Sequence, residues 1–396
     1  MTILAPNTET EACLAIGEAA AARTPLAIEG GGTKRDIGRP AQTERTLSSR
    51  GLAGITLHEP AELVVSARAG TPLAAVEAAL AEAGQQLTFE PPDYRALLGS
   101  GGEPTIGAVA AANLSGPRRV QAGAARDSLI GVRLVNGRGE AVKSGGRVMK
   151  NVTGLDLVKL MGGSWGTLGF LTEVTFKVLP RPERAATLAF RRLGDAAASA
   201  ALAAALSSPF EAAAASHLPA GIGADDARTL IRLEGFSSSV DYRFGELRRL
   251  LKAYGQAELV DGEASASLWR SVRDVLPFAE DDRREAVWRV STAPTKGHEV
   301  AADVSRSIGC RVFYDWGGGL VWIACAADGD AGAGAIRAAV SRAGGHATLV
   351  RAPAEIRAAI DVFEPQPEPL RRLLAGIKAA FDPAGILNPG RMYAGL

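Results

Sequence analysis

Residues Ile28 to Gly38 read IEGGGTKRDIG. A short apolar run over 25–29 (PLAIE) enters three consecutive glycines and leaves through Thr33, Lys34 and Arg35. Backbone N–H groups can hold a phosphate only where no side chain blocks its approach. Glycine also reaches positive φ, which turns successive N–H groups inward into an anion-binding nest. A strand ending in GGGTK supplies such a nest and adds a hydroxyl and an ammonium. The spacing is neither GxxxxGK[ST] nor GxGxxG, so neither a Walker-type nor a Rossmann-type site is indicated. Taken alone, the motif fits an ordinary turn equally well.

The surroundings narrow the choice. The chain has 396 residues, with 47% hydrophobic and 22% charged, which is ample for a buried core and long enough for two domains. Forty-four basic residues against 43 acidic ones give a net charge of +1. With aromatics at 5%, this excludes a nucleic-acid patch with stacking platforms. Cys13, Cys310 and Cys325 form no CxxC pair, which argues against a zinc or iron–sulfur site and suits a reducing compartment. The N-terminus lacks the basic segment of a signal peptide, and no apolar run approaches membrane-spanning length, so a cytoplasmic protein is expected.

Through residue 182, helix, strand and glycine-rich loop alternate. Helices are expected over 8–22, with Thr8 and Glu11 as a capping box, and over 72–83, with Thr71 as N-cap. Strands are expected over 25–29, 62–69 and 170–179, with a hairpin of 129–135 and 140–143 around NGRG. Pro180 and Pro182 then mark a boundary. Over 183–370, Ala- and Arg-rich helices alternate with strands near 185–191, 227–234, 286–291, 310–314 and 320–326. This reads as an antiparallel sheet with helices on one face, and Ala-rich 196–215 as helix. Residues 371–396 form a helix and an ordered Pro/Gly-rich tail returning to the first domain. The fold class is α+β.

Three further stretches accompany GGGTK: TIGAVAAANLSGPRRVQAGAARDSLIGVRLV (105–135), GGSWGTLGFLTEVTFKVLP (162–180) and DPAGILNPGRM (382–392). Together and in this order they resemble the FAD-linked oxidases of the vanillyl-alcohol-oxidase type, the PCMH fold, over essentially the whole chain. Ala108 stands where the family has the second Gly of TIGG. The resemblance implies an FAD-binding domain of two α/β subdomains and an antiparallel cap. It places Gly30, Gly31, Gly32, Thr33 and Lys34 around the pyrophosphate. Pro91, Thr105, Gly107, Asn113 and Gly116 would line the flavin, with Gly123 and Asp127 near the same pocket. Gly169 and Leu171 would pass the adenosine half, and Asn388 and Arg391 would approach the ring. Some relatives attach the flavin through a His in the first loop. No His lies between residues 1 and 57, so non-covalent FAD is expected.

Relatives that oxidise 2-hydroxy acids carry GHxGDGNxH and a later Glu-His pair. The corresponding stretch here, VFYDWGGGLVWIAC (312–325), places Asp315 and Trp322 at the two His positions, and RAPAEIRAAIDVF has no His. No metal is expected. His298, Arg270 and Arg273 are the catalytic candidates that remain, against a plain surface role for each. His58, His217 and His346 read as structural.

The narrower resemblance is to the E-type subunits of bacterial glycolate oxidases, through LTFEPPDYRALLGSGGEPTIGAVAAANLSGPRR, YDWGGGLVW and FDPAGILNPGRMY. It implies oxidation of glycolate to glyoxylate in a complex. A related FAD-containing D subunit would keep the His-rich site, an F subunit would carry iron–sulfur clusters, and the assembly would be cytoplasmic or peripheral to the inner membrane. A freestanding FAD-dependent hydroxy-acid or alcohol oxidoreductase, and a non-catalytic scaffold subunit, are the alternatives.

Overall fold

The structure is a computed structural model and describes residues 2–146, 155–279 and 285–396. The chain opens on Thr2–Leu4 and the helix Glu9–Ala22, whose Glu11 N–H donates to Thr8 Oγ1 at 3.1 Å. A three-stranded parallel sheet follows, with Arg45–Ser48 between Thr2–Leu4 and Leu26–Glu29. Next to it lies an antiparallel sheet of five strands in the order Ile55–Glu59, Val64–Arg68, Phe170–Lys177, Leu129–Val135, Ala141–Gly145. Val65, Phe176, Val174 and Leu134 face the helices Leu73–Glu82 and Ile106–Ala112. Burying each of these large side chains stabilises the sheet by about 1.5–3 kcal/mol. The helix Leu73–Glu82 begins one residue later than expected, with Pro72 at its N-cap. The Thr71 hydroxyl is used elsewhere. It donates to the Arg68 carbonyl (2.6 Å) and accepts from the Gly54 N–H (2.9 Å), closing the loop beneath the helix.

From Arg184 the chain builds an eight-stranded antiparallel sheet. Its order is Glu258–Asp261, Arg184–Arg191, Arg228–Gly235, Ala214–Leu218, Cys310–Asp315, Leu320–Ala326, Glu285–Thr292, Gly345–Arg351. The Ala-rich segment is not one helix. Helix Asp195–Leu206 stops at Ser207-Ser208-Pro209, and Ala214 and Ala215 continue as a buried strand. Proline cannot extend the helix, and alanine is small enough to pack beneath it. The helices are not confined to one face either. Helices Asp195–Leu206 and Ser237–Leu250 cover Ala186, Leu188 and Phe190. The intervening Thr187 faces the other way and accepts from Trp269 Nε1 (2.8 Å) on helix Gly262–Arg273. That second face meets the first domain, where Tyr94 packs edge-on against Trp322 (5.9 Å).

The tail closes the molecule. Ile386 and Asn388 hydrogen-bond to Leu26 as an added parallel strand segment. Lys378 Nζ donates to Asp382 (2.7 Å) and to the carbonyls of Thr167 and Leu387 (2.8 Å each). Asn388 Oδ1 accepts from Ile28 N–H (2.8 Å), and its Nδ2 donates to Trp165 O (2.8 Å). Among the described residues no helix is long and apolar enough to cross a membrane.

Candidate FAD cleft and the cavity beside it

The triple glycine lies at the mouth of a cleft between the small parallel sheet and helix Ile106–Ala112. Gly30, Gly32, Thr33, Lys34, Gly107, Gly169, Leu171 and Arg391 line it, as does Trp165. Gly32 has φ +77°, the left-handed geometry that the cradle reading requires. Glycine is needed at Gly107 for contact, because a Cβ there would lie 2.6 Å from the Ala69 Cβ. The electrostatics favour an anion. Glu29, the acidic residue of the lining, is taken by Arg35 at 2.8 Å. Lys34 is 7% exposed, and its ammonium forms no hydrogen bond or ion pair among the described residues. Burial pushes its ammonium down to about 8, against partial support from the Asp93 charge. Burial likewise lowers Arg391 to about 10. Its Nη2 reaches only the carbonyls of Lys34 (3.0 Å) and Ile37 (3.2 Å), and its Nε is buried without a partner. A cleft walled by glycine, with buried Lys34 and half-buried Arg391 both lacking carboxylate partners, fits a pyrophosphate.

A second, wider cavity lies between this domain and the eight-stranded sheet, and Ala112 and Trp165 line both spaces. Trp165 and Trp316 both hold φ +53°, a left-handed backbone that bulky residues adopt at a cost of about 1–3 kcal/mol. Each is fixed from outside. Trp165 accepts from Asn388 and packs on Phe363 (5.6 Å), while Trp316 Nε1 donates to the Gly116 carbonyl (3.0 Å). The lining also includes Arg119, Arg289 and His346.

Several sequence candidates lie outside both spaces. Gly31 does not line the cleft. The hydrogen in place of its Cβ leaves room for the Glu103 carbonyl, which a Cβ would approach to 1.7 Å, so Gly31 seats loop 101–104 behind the cradle. Thr105 is 2% exposed, and its Oγ1 has no partner. Asn113 lines the second cavity, yet its Oδ1 is held by Arg126 N–H (2.8 Å). Gly116 packs against Glu90 O and Arg273. Gly123 and Asp127 form a local turn in which Asp127 accepts from Ala124 N–H (2.8 Å). Pro91 is buried in the loop before Tyr94, and Asn388 is the clamp described above. The catalytic candidates disperse. Arg270 is an exposed partner of Glu263, Arg273 folds onto Asp274 (2.8 Å), and His298 sits on helix Gly297–Ser307. None of the three lines either space. Asp315 is buried beneath the second cavity, raised to about 7 by burial, and accepts from Trp316 N–H. Trp322 packs between Tyr94 and Phe313.

Comparison with known proteins agrees with this geometry. The FAD binding domain family matches residues 2–145. The chain superposes on 4-ethylphenol oxidase from Gulosibacter chungangensis with a TM-score of 0.73 at 14% identity, covering 99% of this chain and 88% of that one. It superposes on p-cresol methylhydroxylase with a TM-score of 0.71 at 13% identity, covering 98% and 88%. The fold is that of the PCMH-type FAD-linked oxidoreductases. The sequence is 38% identical to glycolate oxidase subunit GlcE of Escherichia coli (strain K12) over 383 residues, 96% of either chain. It is 40% identical to glycolate oxidase subunit GlcD of Bacillus subtilis (strain 168), over 25% of this chain and 20% of that one. This chain belongs to the GlcE family of glycolate oxidase subunits.

Proposed function

We propose that the chain is the FAD-binding E-type subunit of a multi-subunit glycolate oxidase that converts glycolate to glyoxylate. Gly30, Gly32, Thr33 and Lys34 hold the FAD pyrophosphate, with Arg391 closing the cleft. The adenosine half lies along Gly169 and Leu171, and the ring lies toward Ala112 and Trp165. The observation that carries this reading is buried, partnerless Lys34 beside a glycine wall. Bound FAD supplies a two-electron acceptor. This chain's own residues orient it, exclude water and neutralise its phosphates. The FAD is held non-covalently in this reading, and among the described residues the cleft lining includes no His, Cys or Tyr. Asp315 and Trp322 are engaged in packing and are unsuited to chelation, which supports substrate handling by a D-type partner and electron exit through an iron–sulfur F-type subunit. Residues 1–182 act as the FAD-binding domain, 183–370 as the cap and 371–396 as the return.

The test is an absorbance spectrum of the purified chain with and without anaerobic glycolate, alone and in the reconstituted complex. Bound flavin should be released by acid precipitation, stay oxidised with glycolate in the isolated chain, and bleach in the complex. Bleaching of the isolated chain would overturn the division of labour. Separately, Gly31→Ala should displace the Glu103 carbonyl, destabilise the chain by about 1–3 kcal/mol and reduce retained FAD. Gly17→Ala, with nothing within 4 Å, should do neither. Thermal melts and flavin content measure both.

A further inference from the structure

The eight-stranded sheet brings two of the three cysteines face to face. Cys310 opens its strand, Cys325 lies near the end of the next, and the register pairs them directly. Residues opposite each other in an antiparallel ladder share a face, with Cβ atoms about 4.5–5.5 Å apart. Both thiols accordingly meet one helical layer. Cys310 Sγ lies 3.3 Å from Ser305 Oγ on helix Gly297–Ser307. Cys325 Sγ donates to the Ala331 carbonyl (3.3 Å) at the entrance to helix Ala333–Ala343, and Arg342 ties that helix to Asp303 on the first (3.1 Å). Cys13 is in the other domain, on helix Glu9–Ala22.

A disulfide needs Cβ atoms about 3.5–4.5 Å apart, so the ladder must close by about 1 Å. The pair stands where that is easiest. It is the last of its ladder, and a Cβ on the preceding Gly309 would meet nothing within 4 Å. Among the described residues, the neighbouring strand Ala214–Leu218 pairs with this one only at His217 and Tyr314. The Cys310 end can therefore shift toward Cys325, which is held between two strands. Losing the Cys325 hydrogen bond orphans nothing, because the Ala331 carbonyl also accepts from Trp288 Nε1 (2.8 Å). The two thiols differ in access. Cys310 is half-buried, within reach of a small oxidant, whereas Cys325 is 4% exposed. Burial pushes the Cys325 thiol up to about 12, with the Cys310 charge adding to it, so Cys325 does not react first.

We propose that Cys310 and Cys325 are a modification site, in which a hydroperoxide oxidises Cys310 and Cys325 resolves it into a reversible disulfide that staples the cap sheet. In the first step the O–O bond of hydrogen peroxide breaks, one oxygen joins the Cys310 sulfur as sulfenic acid, and the other leaves as water. In the second, the Cys325 sulfur displaces that oxygen, which leaves as water with the thiol proton. The sulfurs give up one electron each, and the peroxide takes both. Oxidation also removes the Cys310 charge that opposes ionisation of Cys325. Neither thiol lines the FAD cleft or the second cavity, so the site is independent of the cofactor assignment and of the proposed activity.

The test treats the full-length flavin-loaded chain with hydrogen peroxide, then counts thiols in denaturant and maps the linked peptides by mass spectrometry. The three free thiols should fall to one, Cys13, with a link between Cys310 and Cys325 that dithiothreitol reverses. The oxidised chain should melt about 3–6 °C higher than the reduced one, the shift expected of a short closed loop. Cys310→Ser should form no intramolecular link and show no peroxide-dependent rise. Cys325→Ser should stop at a Cys310 sulfenic acid that dimedone traps. Cys13→Ser should behave as wild type. The half-buried Cys310 and the remote Cys13 keep the test decisive if the buried Cys325→Ser variant fails to fold. A wild type that keeps all three thiols would overturn the proposal. So would one in which Cys310 goes on to sulfinic acid or links to another chain, or one whose melting temperature rises equally in Cys310→Ser.

Discussion

Replacing Lys34 by Met is expected to stabilise the FAD-free protein while costing it most of its affinity for FAD. The ammonium is 7% exposed and held near 8 by burial, against an ordinary 10.5. A folded-state value below the unfolded one means that the charge opposes folding. The penalty is full below pH 8 and is relieved as pH rises from about 8 to 10.5. At 1.36 kcal/mol per unit, it comes to roughly 3 kcal/mol at pH 7. Met removes the penalty, so the apoprotein should melt several degrees higher. A bound pyrophosphate reverses the balance, because the charge then gains a partner and the lysine is held protonated. Wild-type FAD affinity should therefore fall about tenfold between pH 7 and pH 9, since binding must take up a proton once free Lys34 is deprotonated. In Lys34→Met this dependence should vanish with the affinity. Calorimetric titration with FAD at both pH values, beside thermal melts of the apoprotein, measures it. An apoprotein no more stable than wild type would refute the buried-charge argument. Undiminished FAD affinity would remove Lys34 from the cradle.

What could be read from the sequence and what could not divides by sequence distance. Gly30, Gly32, Thr33 and Lys34 are one turn, and their chemistry follows from residue type and order. Gly107, Gly169 and Arg391 come with stretches that carry their own pattern. The reason for Gly31 could not be read, because the atom it makes room for, the Glu103 carbonyl, is 72 residues away by number and carries no pattern. Gly123 and Asp127 read as part of a pocket because glycine and aspartate in a loop serve a ligand or a local turn equally well, and here the Asp127 carboxylate is spent on Ala124. The second cavity was hidden for a stronger reason. Arg119, Arg289, Trp316 and His346 come from four segments, and only the register of Glu285–Thr292 against Gly345–Arg351 brings Ser291 opposite His346 and Arg289 opposite Thr348. An alternation of apolar residues with one arginine, as in AVWRV, marks the arginine as facing a different side from Trp288 and Val290 and says nothing of what it faces. The strands Ala214–Leu218 and Glu258–Asp261 were missed because alanine and charged residues are weak strand formers, and tertiary burial decided them.

The contact between the two halves rests on a buried ion network, and breaking it should have the largest effect on stability of any substitution considered. Arg232 reaches Glu90 (2.8 Å) and Glu234 (3.1 Å), Glu234 pairs with Arg118 (3.0 Å), and the Arg118 backbone N–H donates to Glu90 (2.9 Å). Glu90 and Arg118 precede the sheet boundary, while Arg232 and Glu234 lie on the eight-stranded sheet, where Arg232 stacks on Trp269 (4.9 Å). Burial alone would raise the Glu90 carboxyl. The Arg232 charge and hydrogen bond, with Arg118, outweigh it, and the net shift is downward. Arg232→Met fills the volume but leaves Glu90 and Glu234 buried with one fewer cation, at a cost of about 3–5 kcal/mol. The sign of the pH dependence separates this cause from lost packing. In the wild type, Glu90 contributes stability above its unfolded value that is lost only as pH falls through its lowered folded value. In Arg232→Met, burial dominates, the carboxyl moves above its unfolded value, and the variant is penalised as pH rises. The deficit relative to wild type should therefore be largest at pH 7 and shrink toward pH 5, whereas a packing defect would be equal at both. Exposed Arg191, paired with Glu258 at the outer edge of the same sheet, is the control, and Arg191→Met should leave the melting temperature unchanged at either pH. Urea denaturation at the two pH values measures the deficit, and a pH-independent difference would assign the role of Arg232 to its stacking on Trp269 instead.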